Sequence, residues 1–251
     1  MAGGDATHRF SNRVDDYVRY RPSYPRAAIQ YLRNRCLLAD AVVADTGAGT
    51  GILSDLLLAH VRRLYAIEPN DEMRSAAESR LNRYSNYASI KGTAEATALP
   101  DASVDVVVAA QAFHWFDREA AMEEFRRILR EPRWMALIWN SRLKDTPLLE
   151  AYEELLQTYG TDYRQVSHQR AAEDVLVKLF AREFEKREFD NEQRLDLAGL
   201  KGRIFSSSYT PTPADPEYEE MVRGIEAAFE HFSENGWVTI RYKTEVYSGT
   251  I

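Results

Sequence analysis

Five short apolar runs alternate with segments whose apolar residues recur at helical spacing, and this alternation restricts the possible folds more than any other feature. The runs lie at 41–45, 61–68, 87–92, 104–111 and 133–140. Successive strands joined through helices need crossover connections, and such connections build a parallel sheet covered by helices on both faces. The sequence therefore predicts an α/β fold with a parallel central sheet.

After Asn140 the chain changes to longer helical segments and two further alternating runs. The run at 184–195 alternates loosely, whereas the run at 237–251 alternates clearly and places Val238 and Ile240 on one face. Alternation with a period of two residues is typical of strands. We therefore expect both runs to be strands, separated by helices and by a break rich in serine and proline.

Composition narrows the class of ligand and the cellular setting. The chain carries a net charge of −7 and shows no basic stripe, which argues against a nucleic-acid partner. No apolar run approaches the roughly 18 residues of a membrane span, so we expect a cytoplasmic protein without membrane contact. The single cysteine, Cys36, is expected to be buried. No metal site is predicted, because metal-ligand spacing is lacking among His8, His60, His114, His168 and His231.

The segment "DTGAGTG" lies between the first apolar run and the helical segment that follows it. It contains Asp45 and then Gly47, Gly49 and Gly51. Glycines at a strand-to-helix turn let the backbone approach a ligand without a Cβ in the way, and they direct the helix N-terminus at that ligand. Such turns also occur for packing alone, so both interpretations stay open at this point.

The spacing of these glycines argues against two phosphate-binding loops. A dinucleotide fingerprint, G-x-G-x-x-G, needs glycine where Ile52 stands, and a nucleoside-triphosphate loop needs lysine and serine or threonine where Ile52 and Leu53 stand. Asp45 would also repel a pyrophosphate. An acid before the first glycine instead suits a ligand with a positive charge, such as an ammonium or a sulfonium.

A second acid, Glu68, ends the second apolar run 17 residues beyond Gly51. This spacing is close to that at which an acid accepts two hydrogen bonds from a ribose diol. A helix cap is the alternative, because Pro69 and Asn70 follow. Together with Asp45 and the glycines, Glu68 predicts a site for a nucleoside with a cationic amino-acid arm, which is the chemistry of S-adenosylmethionine.

These motifs resemble those of class I S-adenosylmethionine-dependent methyltransferases. "DTGAGTG" matches the family's D-x-G-x-G-x-G at every fixed position, and "YAIEPNDEM" is similar to its second-strand motif. "GTAEATALPDASVDVVVAAQAFHWF" resembles the adenine loop and fourth strand, with Thr93 in place of the usual aspartate. Pro132 and Arg133 replace glycines common before the fifth strand. "SSSYTP" and "TEVYSGTI" are similar to the small-molecule branch, methyltransferase type 11-like, that includes trans-aconitate methyltransferase.

The resemblance implies a Rossmann-like, seven-stranded sheet that is mostly parallel, with the last strand inserted antiparallel and paired with the run at 184–195. It also implies one methyltransferase domain over residues 1–251. The core of that domain would be about 25–140 plus 184–194 and 237–251, with a helical lid from 1–24, 141–183 and 195–236.

The resemblance further implies S-adenosyl-L-methionine as the cofactor. Glu68 would bind the ribose and Met73 would pack on the adenine. We expect the N-terminal "YVRYRPSYP" to close over the methionine arm with Tyr17 at the cofactor, and an amphipathic packing helix is the alternative. The predicted cofactor-binding residues are Tyr17, Asp45, Gly47, Gly49, Gly51, Glu68, Pro69, Met73, Thr93, Ala94, Glu95 and Gln111.

Catalysis and acceptor binding are expected at the same edge of the sheet. His114 follows the fourth strand, and imidazole titrates near neutral pH, which suits a base for an oxygen or nitrogen nucleophile. Covering the cofactor is its alternative role. Arginines facing a pocket would suit an acidic small molecule, whereas surface arginines would have no such role. The predicted substrate-binding residues are Trp139, Asn140, Arg142, Arg203, Ser207 and Tyr209.

The sequence thus favours methyl transfer from S-adenosylmethionine to a small acceptor that carries a carboxylate, by a monomer or a homodimer. A non-catalytic S-adenosylmethionine-binding protein is one alternative, because the motifs argue only for binding. A nicotinamide-dependent reductase is opposed by the glycine spacing and by Asp45. A nucleic-acid methyltransferase would usually show Asn/Asp-Pro-Pro-aromatic where this chain has "AQAFHW".

Overall fold

A computed structural model describes residues 13–36, 38–161, 163 and 173–251. The strands are β1 Val42–Thr46, β2 Arg63–Ile67, β3 Tyr87–Ile90, β4 Val104–Ala110, β5 Leu129–Arg142, β6 Arg182–Leu195 and β7 Val238–Thr250. The helices are α1 Val14–Tyr20, α2 Arg26–Arg35, α3 Ile52–Leu57, α4 Asp71–Leu81, α5 Arg118–Ile128, α6 Pro147–Tyr159, α7 Glu173–Val177, α8 Leu197–Phe205 and α9 Tyr218–Phe232.

All of these strands form one seven-stranded sheet in the order β3-β2-β1-β4-β5-β7-β6. The pairs among β1 to β5 are parallel, whereas β7 is antiparallel to both β5 and β6. The last strand pairs along its whole length, from Val238 opposite Leu195 to Thr250 opposite Trp134. The predicted Rossmann-like sheet, including the inserted antiparallel last strand, is confirmed.

Both faces of the sheet are buried, which explains why its central strands are continuously apolar rather than alternating. On one face Val106 and Val108 of β4 belong to a core shared with α2, α3 and α4. On the other face Val107 and Ala109 belong to a core shared with Phe125 of α5. Each helix layer therefore covers one face of the strands that carry the glycine loop.

A third core lies among α6, α8 and α9. Leu149 of α6, Ile204 of α8 and Met221 of α9 pack with Ile240 and Tyr242 of β7. Tyr242 pairs in the sheet with the last residue of β5. The three helices therefore lie beyond the carboxyl end of β5, on the side of the sheet where ligands bind in open α/β folds.

Three helices have ends set by the adjoining chain. α5 ends at Ile128, and β5 begins at the next residue. α3 ends at Leu57 and continues as a 3-10 turn. Pro25 is the N-cap residue of α2.

Some expectations concern residues outside the described ranges. The N-terminal 1–12 and most of the segment between α6 and α7 are among them, and so are His8 and His168. No helix in the described part of the chain has the length and apolar character needed to cross a bilayer.

Candidate cofactor pocket

A pocket of about 370 Å³ opens at the carboxyl ends of β1, β2 and β4. The chain leaves β1 toward β2 and β3 and returns on the other side as β4, so the pocket lies where the strand order reverses. Ligands of open α/β sheets bind at this point. It is lined by Tyr17, Tyr24, Asp45, Gly47, Ala48, Gly49, Thr50, Ile52, Leu53, Glu68, Pro69, Asn70, Met73, Thr93, Ala94, Glu95, Ala110, Gln111, Ala112, Trp115, Phe116 and Asp117.

The three glycines of the loop have positive φ angles but different surroundings. A Cβ on Gly47 would lie 2.5 Å from the Cβ of Ala112, so this position must stay without a side chain for the loop to approach the end of β4. A Cβ on Gly51 would lie 2.6 Å from Leu81 of α4. Gly51 is the N-cap of α3 and is not among the lining residues, so it serves helix packing.

Glu68 holds the glycine loop against the end of β2. One carboxylate oxygen accepts from the backbone N–H of Gly49 at 2.8 Å, and the other accepts from the backbone N–H of Asn70 at 2.9 Å. Burial raises the pKa of Glu68, and these two hydrogen bonds oppose the rise. Each oxygen has a second lone pair, so the carboxylate can still accept from a ligand in the pocket.

Asp45 is 1% exposed, and its two oxygens differ. Oδ2 accepts from the hydroxyl of Ser54 at 2.6 Å, whereas Oδ1 is buried and has no hydrogen-bond partner among the described residues. Burial raises the pKa of Asp45 to about 7, and the Glu68 carboxylate also raises it. Buried polar atoms are rarely left unsatisfied, so this oxygen indicates a missing donor or cation in the pocket.

The wall predicted to face the adenine is built from two loops and the start of α4. The side chain of Asn70 caps α4 by accepting from the backbone N–H of Met73 at 2.8 Å, which places Met73 in the pocket. Glu95 accepts from the backbone N–H of Asp117 at 2.8 Å. This contact ties the loop of Thr93 and Glu95 to the start of α5.

The N-terminal segment supplies aromatic side chains to the pocket. Tyr17 of α1 and Tyr24 both line it. The guanidinium of Arg21 lies 4.7 Å from the centre of the Tyr17 ring and donates to the carbonyl of Ser206 at 2.8 Å. Burial, then the nearby Tyr17 and Asp45, raise the pKa of Tyr24 well above its usual value. The segment is therefore in place beside Asp45.

His114 lies next to the pocket without lining it. It belongs to the 3-10 turn Phe113–Trp115, and its ring centre is 4.7 Å from that of Trp115, which does line the pocket. Gln111, at the end of β4, has a positive φ and donates from its side chain to the carbonyl of Asn140 at 3.1 Å. The turn that carries His114 is thereby attached to β5.

The residues predicted to bind substrate lie outside the pocket lining. Trp139 is buried with its ring edge-on to Tyr247. The side chain of Asn140 accepts from Thr244 and from Asn191 and donates to the carbonyl of Ser23. Asn140 thus joins the end of β5 to β7, to β6 and to the N-terminal segment.

The other four predicted substrate residues come together in and beside the third core. Arg142 forms an ion pair with Glu153 at 2.6 Å, and both side chains are 11% exposed. Arg203 and Ser207 lie near each other, with 3.4 Å between Nη1 and Oγ. Tyr209 packs its ring against Tyr163.

Several lining residues were not predicted from the sequence. Asn70 and Asp117 are helix N-caps, and their position before α4 and α5 is a signal that would have placed them at this edge of the sheet. Tyr24, Thr50 and Trp115 carry no such signal. Thr50 is 1% exposed, and its buried hydroxyl has no hydrogen-bond partner within the part of the chain that the structure describes.

Among the described side chains, no group of histidine, cysteine, aspartate and glutamate is arranged to hold a metal ion. The pocket presents two buried acids, Asp45 and Glu68, together with aromatic rings.

Comparison with known proteins finds similarity to methyltransferases. Residues 44–136 match the family described as the methyltransferase domain. An uncharacterized methyltransferase-like protein of Schizosaccharomyces pombe is 32% identical over 155 residues, 61% of this chain and 59% of that protein. An uncharacterized methyltransferase of Mycobacterium tuberculosis is 38% identical over 138 residues, 55% of this chain and 54% of that protein. The chain spans little more than half the length of these curated relatives.

Solved structures share the fold. A protein of Anaeromyxobacter dehalogenans, which carries a provisional assignment as a type II methyltransferase, superposes with a TM-score of 0.67 at 23% identity, covering 92% of this chain and 98% of that one. The YcgJ protein of Bacillus subtilis superposes with a TM-score of 0.59 at 20% identity, covering 90% and 98%. These likenesses show that the chain shares the overall fold of these two proteins.

Proposed function

We propose that this protein transfers a methyl group from S-adenosyl-L-methionine to a small acceptor that carries a carboxylate. The observation that carries the proposal is the pair of buried acids at the strand-order reversal, Asp45 with an unpartnered oxygen and Glu68 behind the glycine loop. The matched domain and the shared fold support the same reaction.

The residues of the pocket fit this cofactor chemically. The free oxygen of Asp45 suits a cationic amino-acid arm, and the spare lone pairs of Glu68 suit a ribose diol. Met73 and the loop at Thr93 offer apolar and amide surface for a purine. When bound, the cofactor supplies a methyl group on a positively charged sulfur, so little bond chemistry is left to the protein.

The chain's own contribution is alignment and exclusion of water. Tyr17, Tyr24, Trp115 and Phe116 surround the pocket with aromatic surface, which disfavours a water-filled reaction site. His114, beside Trp115, is proposed to take a proton from the acceptor, and covering the cofactor is its alternative role.

The organisation of the chain is part of the same proposal. Residues 1–251 would form one methyltransferase domain that works in the cytoplasm as a monomer or a homodimer, without nucleic acid. The core would be about 25–140, 184–194 and 237–251, and the lid 1–24, 141–183 and 195–236.

Two other functions stay as alternatives. A protein that binds S-adenosylmethionine without turnover would keep the same pocket. A nicotinamide-dependent reductase is disfavoured because Asp45 places a buried carboxylate where a pyrophosphate would have to lie.

The test is isothermal titration calorimetry with S-adenosylmethionine, S-adenosylhomocysteine and NADH. We expect saturable heat with the first two and none with NADH. Asp45→Asn should abolish binding of S-adenosylmethionine, whereas Asp55→Asn, on the same helix as Ser54 but paired with Arg80, should leave it intact. Saturation by NADH alone would overturn the proposal. A screen of small carboxylic acids for methyl acceptance then separates an enzyme from a non-catalytic binder.

A further inference from the structure

The guanidinium of Arg203 is buried, and no carboxylate among the described residues pairs with it. Arg203 lies in the last turn of α8 and is 6% exposed. Its Nε donates to the hydroxyl of Tyr242 at 3.0 Å, and its Nη1 lies 3.4 Å from the hydroxyl of Ser207. No carboxylate in the described part of the chain forms an ion pair with it. Both of its partners are neutral.

Arg142, in the same cluster, is different because its charge is balanced. Glu153 forms ion pairs with Arg142 at 2.6 Å and with Lys144 at 2.7 Å. Burial opposes ionisation of Glu153, but hydrogen bonds from Lys144, Tyr163, Gln157 and Arg142 outweigh it and hold its pKa at about 2. The Glu153 carboxylate therefore pairs with Arg142 and Lys144, and it does not form an ion pair with Arg203.

A buried charge is costly unless it is paired. The groups near Arg203 supply only fractions of a negative charge. The Tyr242 ring centre is 5.8 Å from the guanidinium carbon, and the carbonyl end of α8 contributes part of a helix dipole. Among the residues that the structure describes, this positive charge thus has no counter-ion inside the third core.

Arg203 is also close to the segment that lines the cofactor pocket. A Cβ on the preceding residue, Gly202, would lie 2.1 Å from the ring of Tyr20, so α8 and α1 touch at this point. Arg21 donates to the carbonyl of Ser206 and stacks over Tyr17, which lines the pocket. The helix α1 and the adjoining Arg21 therefore lie between Arg203 on α8 and the pocket.

We propose that Arg203 binds the carboxylate of the methyl acceptor, with Ser207 and Tyr242 orienting its guanidinium. This inference rests on the proposed function and deepens it, because it assigns the acceptor's charged group to one of the two lid arginines. Arg142 is a structural cation paired with Glu153, and Arg203 is the residue that selects an acidic acceptor.

The first experiment is isothermal titration with malonate, succinate and glutarate at constant ionic strength, in the presence of S-adenosylhomocysteine. At least one dicarboxylate should bind the wild-type chain. Arg203→Met should weaken that binding roughly ten- to a hundredfold, and Arg203→Lys should weaken it less, because lysine keeps the charge without the fork of donors. Arg241→Met, an exposed arginine paired with Asp145, is the matched control and should change nothing.

A second readout separates ligand binding from a structural role. Removing an unpaired buried charge should leave the melting temperature of the ligand-free Arg203→Met chain unchanged or higher. A lower melting temperature together with unchanged dicarboxylate affinity would overturn the assignment. Failure of every dicarboxylate to bind the wild-type chain, or binding of inorganic phosphate in their place, would also overturn it. Heat from S-adenosylhomocysteine in the same samples keeps this outcome distinct from failure of the proposed function.

Discussion

Glu68 accepts a hydrogen bond from the backbone N–H of Gly49 at 2.8 Å, so the acid that ends one strand fixes the loop that follows the neighbouring strand. The same carboxylate accepts from the N–H of Asn70, the cap of α4. Glu68 therefore has a structural role even before any ligand enters, and its helix-cap and ligand-binding interpretations are compatible.

Replacing Glu68 with alanine removes the acceptor from both backbone N–H groups and from the ligand. We expect the melting temperature to fall and the affinity for S-adenosylmethionine to drop at least roughly tenfold, as measured by calorimetry. Glu72→Gln, an exposed acid at the start of α4, is the control and should behave like the wild type. Unchanged affinity in Glu68→Ala would contradict the ribose assignment.

Gly47→Ala tests the close approach of the glycine loop to β4. The new Cβ would meet Ala112 at 2.5 Å and would also take a positive φ. Gly236→Ala is the matched control, since Gly236 has φ +78° with nothing within 4 Å. In the control, left-handed strain alone should cost about 1–2 kcal/mol of unfolding free energy. Gly47→Ala should cost about 1–3 kcal/mol more and should abolish cofactor binding, and equal losses in the two variants would refute the clash.

The raised pKa of Asp45 predicts that stability and ligand binding change in opposite directions with pH. Folding raises its pKa from 3.8 to about 7, so the folded chain holds this proton more tightly than the unfolded chain. Stability of the ligand-free chain should therefore decline, through this group, as pH rises from about 4 to about 7. A cationic ligand needs the ionised form, so affinity should rise over the upper part of that range.

The measurement for Asp45 is a difference between the wild type and Asp45→Asn, because other groups titrate in both. Thermal melts and calorimetric titrations across that pH range should show that the variant loses the decline in stability and does not bind S-adenosylmethionine. A variant with the wild-type pH dependence would remove Asp45 as the source of either trend.

The hydrogen bonds of Arg13 lead us to expect that the end of α8 supports the pocket through α1. Its guanidinium donates to the carbonyl of Phe205 at 2.9 Å and to the side chain and carbonyl of Thr210, both at 2.6 Å. These bonds hold α1, which carries Tyr17, against the end of α8. Arg13→Ala should weaken S-adenosylmethionine binding roughly tenfold, whereas Arg19→Ala, exposed on α1, should not. Equal affinities of the two variants would mean that the α1 contact is not needed.

The variant His114→Ala distinguishes a general base from a residue that only packs over the cofactor. A base role predicts a fall in kcat of about 10²–10⁴-fold and loss of the acidic limb of the pH profile. A cover role predicts a higher KM with most of kcat retained. His231→Ala, exposed on α9, is the control. The assay needs an accepted substrate from the carboxylic-acid screen, and retention of most turnover would reject the base.

The sheet could be predicted from the sequence because its physical signals are local. Buried parallel strands are continuously apolar, and the alternation around Val238 and Ile240 marks a strand with distinct faces. The positions of Asp45 and Glu68 follow from the same logic, because residues at the carboxyl ends of adjacent parallel strands meet at one edge.

The contacts of α1, α6 and α8 could not be predicted in the same way, because they join distant parts of the chain. The bonds from Arg13 to Phe205 and Thr210 have no local sequence signature. The sequence does not distinguish Arg142 from Arg203. In the structure, Glu153 neutralises the charge of Arg142. The lining residues Tyr24 and Trp115 likewise depend on how the chain turns after α1 and β4.

The position of β7 has a consequence for how the chain is made. Because it separates β5 from β6, a nascent chain emerging from the ribosome presents two strands of the sheet with unpaired edges until residues 238–250 have been synthesised. Exposed edges of that kind invite pairing with other chains. Synthesis of residues 238–250 therefore closes the edges of β5 and β6 through which an incomplete chain could pair with others.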